Sequence, residues 1–273
     1  MSKLKTRLPL VVYLLIVIII LCFLSLLVGS TKMSASKVVS SIFSAGKSNA
    51  SSIIWQIRMP RLFLAILSGS LIAMAGSILL GIFGTRVIDN MIVKTSYLIG
   101  SMVAAVSIFM MLFGANLNLL YPCLLGSLAG TTWDKVLLIA LFVILGLVVY
   151  VFYYKDLNAL LFGEYTAKTL GVEVTWIRIF LFAIAAVISL IAVYSCGLLC
   201  LAALILPYFV RLATGVNYKY LIPVSIMSSA SLIILLDIFS RIIFPAELPL
   251  GIIVMALSGP FYIYALQRRR LGL

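Results

Sequence analysis

Histidine is absent from this chain, and only seven carboxylates serve its 273 residues. The acids stand singly, as Asp89, Asp134, Asp156, Glu164, Glu173, Asp237 and Glu247. The chain therefore lacks both the ligand set of a metal centre and the paired carboxylates of acid–base catalysis. Its four cysteines form no metal spacing or disulfide framework. Cys22 and Cys200 lie in apolar runs, Cys123 and Cys196 near the ends of expected helices, and all four read as small apolar residues. No GxxxxGK[ST] loop occurs, which excludes ATP binding of the P-loop kind. Charge of either sign is scarce, at 10% of residues against about one quarter in a globular domain.

What the chain has in abundance is apolar length. It is 64% hydrophobic, in long unbroken runs rather than the alternation over about ten residues that marks barrel strands. Only helices and closed barrels satisfy their backbone groups inside a bilayer. The fold class is thus all-α, a polytopic integral membrane protein read as one domain over residues 1–273. A span needs roughly 20 apolar residues. That criterion places eight spans, at Leu8–Val28, 62–83, 95–113, 136–154, 176–196, 198–212, 222–243 and 249–267. The sixth is short and contains Pro207. Lys3, Lys5 and Arg7 precede the first span in the manner of a signal peptide, but the apolar stretch is longer than an h-region and has no clear A-x-A site. It reads as a retained span. Ser30–Ser52 is a Ser/Lys-rich connector.

The net charge of +13 is spread over span ends. This is the pattern of topology signals and anionic lipid, not of a nucleic-acid interface. Counted by side, thirteen Lys and Arg fall with the termini and seven opposite. Both termini, and with them residues 156–171, are therefore expected in the cytoplasm of a multi-pass cell-membrane protein.

Residues 156–171, DLNALLFGEYTAKTLG, form a polar island between two apolar runs. Gly163 to Gly171 reads as a short surface helix. Glu164 sits in its first turn, where a carboxylate complements the helix dipole. Lys168 follows four residues later, in the better Glu-to-Lys order. Gly171 suits the left-handed position after a helix end, and Ala167 and Leu170 leave a small apolar face. On residues alone, this is either a docking handle or an amphipathic helix lying on lipid. A second pattern is the small-residue stripe Ala65, Gly69, Ala73 and Gly76, which reads as helix–helix packing. Asp237 and Arg241 are four apart on one helix face and suit an internal pair, because an unpaired acid within a span is costly.

The stretch "LNALLFGEYTAKTLGV" resembles the cytoplasmic coupling segment of the FecCD/BtuC family of ABC importer permeases. "IIWQIRMPRLFLAILSGSLIAMAGSILLGIF" at 53–83 resembles the R-x-P-R start of that family's second helix. "GSLAGTTWDKV" at 126–136 resembles the segment before its sixth helix. The region from "CGLLCLAALILPYFVRLATG" to the C-terminal "RRR" resembles its last third, including Asp237-x-x-x-Arg241, Glu247-Leu-Pro-Leu-Gly251 and Gly259-Pro260. The resemblance implies a transmembrane permease subunit for iron-siderophores or related iron compounds, with haem or cobalamin as alternatives. It implies no cofactor, ATP hydrolysis on a separate subunit, and iron that arrives already chelated. The expected partners are an ABC ATPase, an extracytoplasmic substrate-binding protein, and a second permease subunit in a homo- or heterodimer within the bilayer. Leu157, Asn158, Leu161, Gly163, Glu164, Ala167, Lys168, Leu170 and Gly171 match the ATPase-coupling positions. Arg58, Arg61 and Arg241 match arginines that meet carboxylates of the binding protein; interfacial snorkelling is the other reading of Arg58 and Arg61.

The chain is shorter than the family pattern by about two spans. After Phe83 the sequence runs through Gly84–Lys94 directly into a span at 95–113 that fits the family's fifth helix or a remnant of its third. Smaller departures are Leu80 for Gln, Cys123 for Trp, Tyr208 for the His of a P-H motif, and Ala203 for a Gly. A degenerate member that folds without transporting is therefore one alternative. An intramembrane enzyme built on Asp237 is another, from a different class.

Overall fold

The computed structural model describes residues 7–29, 34–43, 49–82, 130–196 and 214–243, together with Leu128 and parts of 206–211. The expected spans at 95–113 and 249–267, most of that at 198–212, and the Glu247-Leu-Pro-Leu-Gly251 and Gly259-Pro260 motifs lie outside the described residues. So do Lys3, Lys5, Asp89, Cys123 and Cys200.

Among the described residues every element is a helix. They are α1 (Arg7–Leu27), α2 (Ala35–Phe43), α3 (Asn49–Ile53 continuing to residue 82), α4 (Trp133–Leu160), α5 (Glu164–Thr169), α6 (Val174–Cys196) and α7 (Tyr218–Ile243). Five of these, α1, α3, α4, α6 and α7, are long and apolar enough to cross a membrane.

Several helices start earlier or end later than their apolar runs, α3 and α4 by the most. The connector expected at Ser30–Ser52 contains α2 and the first turn of α3, so α3 begins well before residue 62 and runs through Pro60. A proline inside a helix removes one donor and crowds the carbonyl four residues back. Here Ile54–Arg58 widen into a π turn, closed by the Met59 N–H on the Ile54 carbonyl, and this local expansion absorbs the proline. At the other side of the molecule, α4 continues past Tyr154 to Leu160 because Leu157 and Leu160 are buried. Its 28 residues span about 42 Å, more than the ~30 Å hydrocarbon core. One end of α4 must therefore stand clear of the apolar zone.

The core is the antiparallel pair α3 and α7. In the most apolar window of each, 78% and 67% of residues are buried, against 17% in α1. The pair meets along small residues. Gly69 faces Ala230 so closely that a Cβ at 69 would lie 2.8 Å from the Ala230 Cα. Gly146 of α4 gives the same room to Met74 of α3. The Gly69 part of the stripe thus serves backbone approach between helices, where lipid offers no hydrophobic drive and contact geometry decides association. Ser68 and Ser70 return their hydroxyls to the Leu64 and Ile66 carbonyls, at 2.7 and 2.8 Å, which removes the cost of a free hydroxyl in an apolar setting. Around this pair, α1 packs along α7, and α4 packs against α6 and α7. Tyr153 of α4 meets Phe180 of α6 at 5.3 Å between ring centroids.

Candidate functional site

The polar island is two structures joined by a turn. Residues 156–160 complete α4, and Glu164–Thr169 form α5. The Phe162 and Gly163 N–H groups bond to the Ala159 and Leu160 carbonyls, at 3.1 and 3.2 Å, tightening the end of α4. Gly163 then adopts φ 101, ψ 163, a region open essentially to glycine alone. Gly171 has φ 83. Its N–H bonds to the Lys168 carbonyl at 3.0 Å, and the Val172 N–H bonds to the Ala167 carbonyl at 3.1 Å. These are the two bonds of a Schellman ending. Nothing lies within 4 Å of a Cβ built at either glycine, so backbone conformation rather than space demands them.

One face of α5 is fastened down. Ala167 is fully buried in a small cluster with Leu160 of α4 and Val174 of α6. The other face is open. Phe162 is 74% exposed, Tyr165 84% and Leu170 64%. Beside it, Lys168, Gly171, Val172, Glu173, Val174, Thr175, Trp176 and Ile179 line an open groove. Glu164 pairs with Arg178 of α6. The expected helix-surface partner Lys168 is not the one its carboxylate meets, because α6 brings a guanidinium closer than the next turn of α5 brings an ammonium.

The base of the segment is tied to the core. The Asn158 side-chain carbonyl accepts the Tyr218 N–H at 2.9 Å, and its amide donates to the Asn217 side-chain oxygen at 3.3 Å. Asn217 caps α7, accepting the Lys219 N–H on the same oxygen at 3.0 Å. The Tyr150 hydroxyl donates to the Lys219 carbonyl at 2.9 Å. Leu157 is buried, and both it and Tyr218 close over Gly81 of α3, where a Cβ would lie 2.5 Å from the Leu157 side chain and 3.3 Å from the Tyr218 ring.

The three arginines gather at the opposite end of the helices. Arg61 of α3 bonds to Asp237 of α7 through its terminal nitrogen at 2.9 Å and through Nε at 3.0 Å. Arg241 pairs with the other carboxylate oxygen, as the four-residue spacing predicts. Arg241 also donates to the Ser25 and Val28 carbonyls at 3.1 and 2.8 Å and to the Ser25 hydroxyl at 2.8 Å. Arg58 donates to the Leu26 and Leu27 carbonyls. Two guanidinium groups thus bond to the carbonyls at the end of α1, a place where helix geometry supplies no partner and the helix dipole favours cations. Gly29 makes this reachable, since a Cβ there would sit 2.6 Å from an Arg58 nitrogen. Arg58 and Arg61 are 5% and 7% exposed. The cluster pins α1, α3 and α7 together, and Asp237 is held by two cations. Among the described residues, no group of acids or cysteines is arranged to hold a metal.

The expected coupling residues therefore divide. Gly163, Glu164, Lys168, Leu170 and Gly171 are exposed, Leu161 and Asn158 half-buried, and Leu157 and Ala167 buried. Phe162 and Tyr165, the most open aromatic residues of the segment, escaped the sequence reading. Their signal was two aromatic residues three apart in an otherwise polar stretch. Asn217 and Arg178, which fasten the segment, are far in sequence from it and carry no local signal.

A model of the FecCD transport family matches this chain over residues 16–96 and 90–268. The two matches meet at 90–96, inside the stretch where the sequence places the missing spans. The Iron(3+)-hydroxamate import system permease protein FhuG of Bacillus subtilis is 26% identical over 97% of this chain and 99% of its own length. The Cobalamin import system permease protein BtuC of Halobacterium salinarum is 35% identical over 54% of this chain and 39% of its own length. A solved structure described as an inward-facing conformation of a metal-chelate type ABC transporter shares the fold. Its TM-score is 0.68 over 95% of this chain and 99% of that one, at 21% identity.

Proposed function

The chain belongs to the FecCD transport family, and from that premise we propose that it is the permease subunit of a binding-protein-dependent ABC importer for a chelated iron compound of the siderophore class. Two permease subunits enclose the path, and an ABC ATPase on each grips residues 156–171 from the cytoplasm. Iron enters already chelated, which agrees with a chain that has no histidine. The relatives are named for hydroxamate, hemin and cobalamin import alike, so haem and cobalamin are the alternative cargoes.

The observation that carries this reading is the construction of α5. A helix of six residues is marginal by itself. This one is fixed by two positive-φ glycines, a Schellman ending and a buried alanine, yet it turns Phe162, Tyr165 and Leu170 outward. A rigid base under an open apolar face is what a switch needs in order to pass a partner's motion onward. At the opposite end, Arg58, Arg61 and Arg241 gather around Asp237 and the end of α1. We assign this basic end to meeting an acidic extracytoplasmic binding protein, as the family resemblance implies.

Uptake of radiolabelled ferric siderophores, haem and cobalamin by a strain lacking its own permease, with and without this chain, tests the cargo. Restored uptake of a ferric siderophore supports the reading. Restoration of haem or cobalamin alone would move the assignment to that cargo. The family match in two pieces favours one second reading, a member that keeps its ATPase handle but no complete path. ATPase binding without restored uptake of any cargo would establish it.

A further inference from the structure

We propose that Asn158 is a positioning residue, a joint that passes the movement of the coupling segment into α7, rather than a residue that touches the ATPase. The inference rests on the ATPase-docking role proposed above for residues 156–171. Its second footing is independent of that role and lies in the direction of the side chain. Both polar ends of Asn158 point away from α5 and onto the first turn of α7, the carbonyl to the Tyr218 N–H and the amide to Asn217. The N–H groups that open a helix have no partners within it. Asn158 and Asn217 supply acceptors to Tyr218 and Lys219, the first two residues of α7. Tyr150 holds the Lys219 carbonyl from the same helix that carries Asn158, and Leu157 and Tyr218 both close over Gly81.

The end of α4 and the start of α7 are therefore one body, fixed by hydrogen bonds from two turns of α4. From α4 the chain reaches α5 through a three-residue turn whose last member, Gly163, has a fixed unusual conformation. From α7 it runs without a break to Asp237 and Arg241, which hold α1 and α3. A tilt imposed on α5 is delivered to α7, a continuous helix about 39 Å long for 26 residues that carries Pro223 in its second turn. It emerges at the arginine cluster at the far end. A single amide in a half-buried position is the narrowest part of this route.

The test compares Asn158→Leu, which keeps the branched side-chain shape and removes both hydrogen bonds, with Asn158→Asp, which keeps an acceptor for the Tyr218 N–H. Two readouts are taken on the full chain in lipid nanodiscs with its ATPase partner. The first is amide exchange at Tyr218 and Lys219. The second is the ATP-driven change in distance between spin labels at Leu137 of α4 and Ile242 of α7, both exposed, in a background freed of native cysteines. Asn158→Leu is expected to speed Tyr218 exchange by about five-fold, the worth of one ordinary hydrogen bond, and to abolish the distance change. Asn158→Asp is expected to restore both. Unchanged exchange in Asn158→Leu, or a full distance change in spite of faster exchange, would overturn the proposal. So would a loss of copurifying ATPase with exchange unaltered, which would make Asn158 a contact residue. If the unaltered chain binds no ATPase, the functional reading fails instead, and the exchange at Tyr218 still decides whether the joint exists.

Discussion

Replacing Asp237 by asparagine removes the only anion described between Arg61 and Arg241 while changing the side-chain volume hardly at all. At the 2.9 Å separation of Arg61 and Asp237, an effective dielectric constant of ~20 gives about 6 kcal/mol of attraction. The cost of drying both groups offsets much of this. What the substitution costs is set by the two guanidinium groups it leaves behind, buried and mutually repulsive. Loss of one partner from such a cluster typically costs about 3–5 kcal/mol. Because Arg241 retains the Ser25 and Val28 carbonyls, the lower end of that range, about 3 kcal/mol, is the expected loss. Reversible unfolding of purified Asp237→Asn in mixed micelles measures it. The double variant Asp237→Asn with Arg61→Gln removes one of the two cations that Asp237 separates, so its loss should fall short of the sum of the two single losses by at least ~1 kcal/mol. Stability of Asp237→Asn within about 0.5 kcal/mol of the unaltered chain, or strict additivity in the double variant, would refute the account of this cluster as one ionic unit. Loss of uptake with unchanged stability would reopen the reading of Asp237 as a reacting group.

Other substitutions separate structural residues from exposed ones. Gly69→Leu must push α3 from α7, since even a Cβ meets the Ala230 backbone. A destabilisation of about 1–3 kcal/mol is expected in the same unfolding assay. Gly163→Ala places a side chain where φ is 101; a cost of roughly 1–3 kcal/mol should appear as local exchange across α5 rather than as a loss of membrane insertion. Glu164→Gln breaks an ion pair whose members are 35% and 56% exposed, and surface pairs of this sort are worth about 0–1 kcal/mol. Its unfolding midpoint should therefore scarcely move, and a large shift would show that the pair is screened from water. Tyr165→Ser should leave stability unchanged and lower ATPase copurification.

The all-helical membrane fold and the position of α5 were legible in the sequence because their determinants are local. Hydrophobic length sets the spans, and Gly171 marks the helix end with a backbone conformation that few other residues adopt. Residues whose roles depend on distant partners were less legible. Arg58 belongs to a proline-bearing helix start that reads as a surface rim, yet it turns to the carbonyls of α1 because Gly29 leaves room. Glu164 has a good partner four residues away in sequence and meets Arg178 instead. Asn158 sits in a motif that resembles an ATPase contact, and its side chain points to the start of α7, sixty residues on. The apolar criterion also mislocated helix ends. Pro60 and the polar residues at 155–160 look like terminators, but a π turn accommodates the first and two buried leucines carry α4 through the second.

The central claim is that α5 and the turn before it present Tyr165 and Phe162 to an ABC ATPase. A photo-crosslinking amino acid placed at position 165 of the full chain in its native membrane tests it most directly. The account predicts one dominant protein adduct, identifiable by its own P-loop and altered in yield by ATP. Adducts to lipid alone, with no ATP-binding subunit captured at any nucleotide condition, would contradict it.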